Sequence, residues 1–182
     1  PFGGTRARGG GTTPNNAACL GEPSQGEAGR IGPPPGYPAE CARICRAHRV
    51  LLICDEIQTG MGRTGKFLAC EHDGVRPDGV ILGKALGGGM LPVSAFIATD
   101  DVMQVFEPGD HGSTFGGHPL AAAVGLEAIA VLFDGTRIEP SAELGAYLLA
   151  QRKPVRRPLI TAGRRKGPSL RPAVRPPRAV AR

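Results

Sequence analysis

The sequence predicts an α/β layer fold with a largely parallel sheet, on three observations. A continuous aliphatic run, Val50 to Cys54, ends in two adjacent acids, Asp55 and Glu56. A second apolar run, Val80 to Leu82, leads into a glycine-rich loop, and helix-like segments alternate with these runs. Strands that are apolar throughout, rather than at every second position, belong to sheets covered on both faces. Alternating strands and helices mark the layered α/β class, and 182 residues suffice to bury one core.

In chain order, residues 1 to 16 are rich in Gly and Thr and read as loop. Ala17 to Gly21 is a short strand candidate, followed by the irregular, proline-bearing segments EPSQGEAG and IGPPPGYP. Pro38 to His48 has an amphipathic helical pattern with proline in its first turn. Val50 to Cys54, Val80 to Leu82 and Val93 to Ala98 are strands, and Ala121 to Phe133 is a strongly apolar helix. Ligands of such sheets bind at the carboxyl ends of the strands, where Asp55 stands.

Charge narrows the function classes. The net charge is +6, yet eleven of the 22 Lys and Arg lie between Arg152 and Arg182, a stretch with no acid. The preceding body is acidic overall, so the basic excess belongs to a tail broken by Pro154, Pro158, Pro168, Pro172, Pro176 and Pro177. Such a tail is expected to lack a packed core, and nucleic acid is not the expected partner. Five cysteines, odd in number and irregular in spacing, argue for a reducing compartment. No run approaches the roughly 20 apolar residues of a membrane span, and no signal peptide is evident. A soluble cytoplasmic protein without membrane association is expected.

Two chemistries explain an acid at the end of an apolar strand. In a nucleotide hydrolase it would hold magnesium, but that requires a phosphate loop of the form GxxxxGK[ST]. Here GVILGKA sets Gly79 one residue too close to Gly83 and follows Lys84 with Ala85. The alternative pairs Asp55 with Lys84 around pyridoxal phosphate. That cofactor needs a lysine amine for its covalent attachment and a carboxylate to keep the ring nitrogen protonated. Lys84 lies in LGKALGGG, where glycines admit a bulky ligand and apolar burial would lower the amine's pKa.

The blocks DEIQTGMGRTG, GVRPD, LGKALGGG and HGSTFGG occur in this order without large gaps. So arranged, the chain resembles the class III aminotransferases, of the fold type I pyridoxal phosphate enzymes, and within them the ornithine aminotransferases. The resemblance is strong from about Ala17 to Leu132 and weaker to about Gly163. It implies a partial large domain at 1–135, a mostly parallel sheet with flanking helices. The start of an incomplete small C-terminal domain would follow at 136–163, and a basic tail at 164–182.

By motif, the resemblance places Lys84 as the lysine bonded to the cofactor, Asp55 at the ring nitrogen and Gln58 near the ring's phenolic oxygen. Ser113 and Thr114 match a segment that reaches the phosphate of the neighbouring subunit's cofactor in a homodimer. Glu27 matches a substrate-site acid that pairs with an arginine. The implied reaction moves the δ-amino group of ornithine to 2-oxoglutarate. Acetylornithine or 4-aminobutyrate as donor, or a non-catalytic remnant with a binding tail, are the alternatives.

The family's first half, with its phosphate loop and ring-stacking aromatic residue, has no counterpart in this sequence, nor has most of the small domain. The expectation is an uncovered apolar face including LAAAVGLEAIAVL, little or no activity alone, and possible docking onto a companion chain. Ser24 and His118 replace an aliphatic residue and an asparagine of the family pattern. His118 is read as a loop or helix-cap residue, and Cys41 and Cys45 as core residues rather than zinc ligands with His48.

Overall fold

A computed structural model describes residues 16–26, 32–134, 138–152, 160–166 and 169–174. Its centre is strand β2 (Leu51–Asp55), in which Leu52 and Cys54 are buried while Leu51, Ile53 and Asp55 are half-buried on the opposite face. β1 (Ala18–Gly21) and β3 (Gly79–Leu82) flank it, both parallel to it, with Ala18 opposite Leu51 and Asp55 opposite Ile81. β4 (Ala95–Ala98) pairs antiparallel with β3, giving the order β1-β2-β3-β4. The sheet is therefore mixed at one edge. The segment between β3 and β4 holds only a short 3₁₀ turn, Lys84–Gly87, and no crossover helix, so the chain returns antiparallel. The expected strand from Val93 starts at Ala95 instead, because Val93 packs into the core beyond Pro92.

Helix α1 (Tyr37–Ala47) forms where the periodicity places it, with Pro38 in its first turn, Glu40 at its positive end and Arg46 in its last turn. It buries Cys45 against Val50, Leu52, Cys54, Cys70 and Val75, with Cys19, Ala42 and Leu68 at the margin. Asp78, in the GVRPD block, ties the strands together. Its Oδ2 accepts the Leu52 N–H at 2.7 Å, its own N–H donates to Leu52 O at 2.9 Å, and Thr99 N–H donates to its carbonyl at 3.2 Å. A short helix α2 (Asp100–Met103) follows β4.

A second core cluster joins Met61, Leu82 and Leu86 to Phe67, Ile129 and Leu132. The last two lie on α3 (Pro119–Asp134), which packs on the 3₁₀ turn at Gly125; a Cβ there would stand 3.6 Å from Leu86 O, so the backbones approach closely. Phe67 and Phe133 add a tilted ring pair at 5.2 Å. The rest of α3 is uncovered, with Leu120 58%, Leu126 70% and Phe133 57% exposed, as the run LAAAVGLEAIAVL led one to expect. No single helix among the described residues is long and apolar enough to cross a membrane.

Helix α4 (Ile138–Arg152) follows, and β5 (Ile160–Lys166) pairs antiparallel with β6 (Ser169–Val174) in a separate two-stranded sheet. Residues 160–166 and 169–174, within the proline- and arginine-rich tail, thus pair as a hairpin. Both strands of a two-stranded ribbon are edges, so Pro172, opposite Gly163, is tolerated without its N–H.

α4 lies against the loop after β2. A Cβ on Gly65, whose φ is +87°, would come within 2.6 Å of Ala142 Cβ. Gly65→Ala is expected to destabilise the chain by about 1–3 kcal/mol through backbone strain and overpacking. Urea unfolding followed by circular dichroism checks this; an unchanged midpoint would mean that α4 does not pack there in solution.

Candidate functional site

The carboxyl ends of β2 and β3 lie side by side, and each carries one of the two residues singled out by chemistry. Asp55 is the last residue of β2 and Lys84 follows β3 after a single glycine, Gly83. The register sets Asp55, Ile81 and Phe96 in one row across one face of the sheet. Asp55 Oδ1 accepts the Ile57 N–H at 3.0 Å, and no described residue donates to Oδ2.

Glu56, the second acid, turns to the opposite task. It is 1% exposed; Oε1 accepts the Cys70 N–H at 2.8 Å and Oε2 accepts the Thr59 hydroxyl. Its backbone N–H donates to Ile81 O at 2.9 Å, and its carbonyl accepts from Gly60 N–H at 2.8 Å. The bonding to nearby backbone expected for Glu56 is therefore present, with a hydroxyl added. A Cβ on Gly60 would stand 2.9 Å from Glu56 O, so the loop leaves the strand too tightly for any larger residue.

Lys84 has φ +46°, uncommon for a residue with a side chain, and opens the 3₁₀ turn while Leu86 and Gly87 take its buried positions. It is exposed, whereas the chemistry of a neutral amine led one to expect burial among apolar residues. The turn explains the difference, since it sends Leu86 inward. Lys84 lines a groove of about 1150 Å³ together with Ile81, Phe96, His111, Ser113 and Leu126. Ser113 thus shares one groove with Lys84, while Asp55, Gln58 and Thr114 stand outside its lining.

Gln58 lies over the EPSQG turn. Gly26 N–H donates to Glu22 Oε2 at 3.1 Å, and a Cβ built on Gly26 would run into the Gln58 carboxamide. The glycine is what allows Gln58 its place. Thr114 is exposed in the loop before α3. Glu27 falls outside the described residues. His118 stands at the start of α3, with Ala122 N–H bonded to its carbonyl at 3.0 Å, the cap-like position expected of it. Asp78 carries no sequence signal as a support because its partner Leu52 lies 26 residues away, and Thr59, three residues from Glu56, because only the fold turns that acid inward.

A family model described as aminotransferase class III matches residues 10–168. The chain belongs to the class III aminotransferases. It is 52% identical over 167 residues to an ornithine aminotransferase of Bacillus cereus (strain Q1), a match covering 92% of this chain and 42% of that protein. Among solved structures it resembles the ornithine aminotransferase of Toxoplasma gondii, crystallised with oxidised glutathione, at TM-score 0.85 and 45% identity over 92% of this chain and 39% of that one. It also resembles the acetylornithine aminotransferase of Elizabethkingia anophelis, at TM-score 0.78 and 45% identity over 91% and 41%. The chain spans about 42% of the length of the curated relatives it matches.

The fold is thus a partial fold type I large domain, and the cofactor of the class III family is pyridoxal phosphate. The residues present fit that group. The Asp55 carboxylate stands at a strand end with Oδ2 accepting from no described residue, and Lys84 and Ser113, which carry an amine and a hydroxyl, line one groove.

Removing the Glu56 carboxylate leaves a buried N–H and a buried hydroxyl without their acceptor. Glu56→Ala should cost about 2–4 kcal/mol. Urea titration measures it, and a loss under half a kcal/mol would show that the loop does not depend on this acid.

Proposed function

We propose that this chain is the portion of an ornithine aminotransferase-type enzyme that carries the cofactor lysine. In the complete enzyme it serves transfer of the δ-amino group of ornithine to 2-oxoglutarate. The observation that carries this proposal is the placement of Asp55 and Lys84 at the carboxyl ends of adjacent parallel strands. Identity of 52% to a curated ornithine aminotransferase supports the donor. Acetylornithine is the second candidate donor, supported by the likeness to the Elizabethkingia enzyme.

Pyridoxal phosphate, when bound, supplies an electron sink for bonds broken at the substrate carbon. Asp55 Oδ2 would accept the proton-bearing ring nitrogen, and the Ile57 N–H on Oδ1 keeps the carboxylate aimed. The Lys84 amine would hold the cofactor and, when free, would move a proton at the substrate carbon. Gln58, seated over Gly26, would contact the ring's phenolic oxygen. Ser113 and Thr114 would bind a phosphate, in a homodimer that of the partner subunit, and Glu27 would meet the substrate. The uncovered apolar residues of α3 support a companion chain or a longer parent that buries them.

Incubation with pyridoxal phosphate, borohydride reduction and peptide mapping is expected to give one adduct per chain at Lys84, lost in Lys84→Ala. Labelling spread over Lys66, Lys153 and Lys166 and unchanged in the variant would overturn the site. Asp55→Asn should lower cofactor retention at least tenfold, since an amide cannot hold the ring nitrogen protonated. The purified chain alone is expected to show no measurable ornithine-dependent turnover.

A further inference from the structure

The parallel ladder of β1 and β2 ends with Gly21 opposite Cys54, so the two chains leave the sheet side by side. Beyond that pair one chain continues as Glu22 to Gly26, the other as Asp55 to Gln58. In the first, Pro23, Ser24 and Gly26 are buried while Glu22 and Gln25 are half-buried. None of these five residues has a part in the proposed reaction, yet the turn lies directly against Gln58, which has.

Two contacts fix the arrangement. The Glu22 carboxylate reaches forward four residues, and its Oε2 accepts the Gly26 N–H at 3.1 Å. Pro23, between the bonded residues, has a φ fixed by its ring and no N–H to bond elsewhere. The Gln58 carboxamide, in turn, occupies the space that a Cβ on Gly26 would need; Oε1, Cδ and Nε2 are the three atoms nearest that position. Gly26 is not among the glycines with positive φ, unlike Gly62 at +79° and Gly65 at +87°. Its backbone conformation is thus one that residues with side chains adopt, and what calls for glycine is the room taken by Gln58.

We propose that Glu22 is a positioning residue of the candidate cofactor site that acts through Gly26: its bond to the Gly26 N–H holds the EPSQG turn in place as a seat, and the seat fixes the Gln58 carboxamide. This role rests on the reading of Gln58 as the contact to the ring's phenolic oxygen. A glutamine side chain has three torsions, and a carboxamide left free to sample them offers the ring no fixed donor. Glu22 itself touches neither ring nor substrate in this scheme. The atoms a Cβ at position 26 would meet are the far end of a flexible side chain, so a side chain there displaces Gln58 and leaves the sheet intact.

The side-chain amide signals of Gln58 in the full chain, read by ¹H–¹⁵N NMR and identified by their loss in Gln58→Ala, test the seat without any cofactor. Glu22→Ala and Gly26→Ala are each expected to move these signals. Glu22→Gln, which keeps an acceptor oxygen at the same reach, is expected to leave them near their wild-type positions. Urea midpoints separate a seat from a glycine the fold needs: any loss caused by Gly26→Ala should vanish when Gln58→Ala removes the obstructed side chain. If Gly26→Ala alone fails to fold, the double variant should regain the fold. Unmoved Gln58 signals in Glu22→Ala, or an equal loss of stability from Gly26→Ala in both backgrounds, would overturn the proposal. With pyridoxal phosphate bound, the midpoint of its pH-dependent absorbance change should shift in Glu22→Ala and Gly26→Ala in the same direction as in Gln58→Ala. The expected shift is about half a pH unit, the size of one modest hydrogen bond, and Glu22→Gln should restore the midpoint. A midpoint shifted in Gln58→Ala alone would also overturn the proposal. The borohydride adduct at Lys84 reads the cofactor site separately, so failure of the seat is distinguishable from failure of the site.

Discussion

The buried carboxylate of Glu56 is the constraint on which the rest of the site depends. A charged group taken almost wholly out of water survives only if its oxygens are engaged, and the Cys70 N–H and Thr59 hydroxyl engage both. Because those partners lie at the two ends of one loop, satisfying the charge also closes the loop. The same residue's backbone bonds to Ile81 and Gly60, joining β2, β3 and the turn after β2. Asp55 is the preceding residue, so its direction is inherited from this knot. The two adjacent acids thus divide the labour: one is bound inward and holds the frame, the other keeps an oxygen that no described residue engages.

Packing around this point is uneven. On one face, α1 and the thiol-rich cluster cover Leu52 and Cys54. On the other, Ile81 and Phe96 line a groove, and α3 shows Leu120, Leu126 and Phe133 to solvent. A helix apolar on nearly all sides is normally a buried one. Together with a chain spanning about 42% of its curated relatives, this describes a half-built layer structure whose missing surfaces are those a longer protein would cover. The exposure of Lys84 belongs to the same picture: the turn that carries it faces the open side.

β2 and β3 were legible from sequence because an unbroken apolar run of strand length marks a parallel strand, although one face of β2 is only half-buried, and α1 because its proline, acid and base fall at the right turns. Lys84 and Asp55 stand out in the sequence because pyridoxal phosphate chemistry asks for a lysine and an acid, and the fold sets the two at the ends of adjacent strands. The antiparallel turn of β4 was not, since a short apolar run carries no direction. The β5–β6 hairpin was not either; proline and arginine content speaks against a core, while a two-stranded ribbon needs none.

By itself, then, the sequence determined which residues are candidates for chemistry and where most strands and helices lie, because both are properties of residue type and local spacing. Tertiary structure alone decided how they meet. That Glu56 reaches Cys70, that Gln58 sits over Gly26, and that Ser113 shares a groove with Lys84 while Thr114 does not all follow from contacts between residues distant along the chain. No local pattern encodes such contacts; they exist only once burial has forced the strands into register and the polar groups have had to find partners.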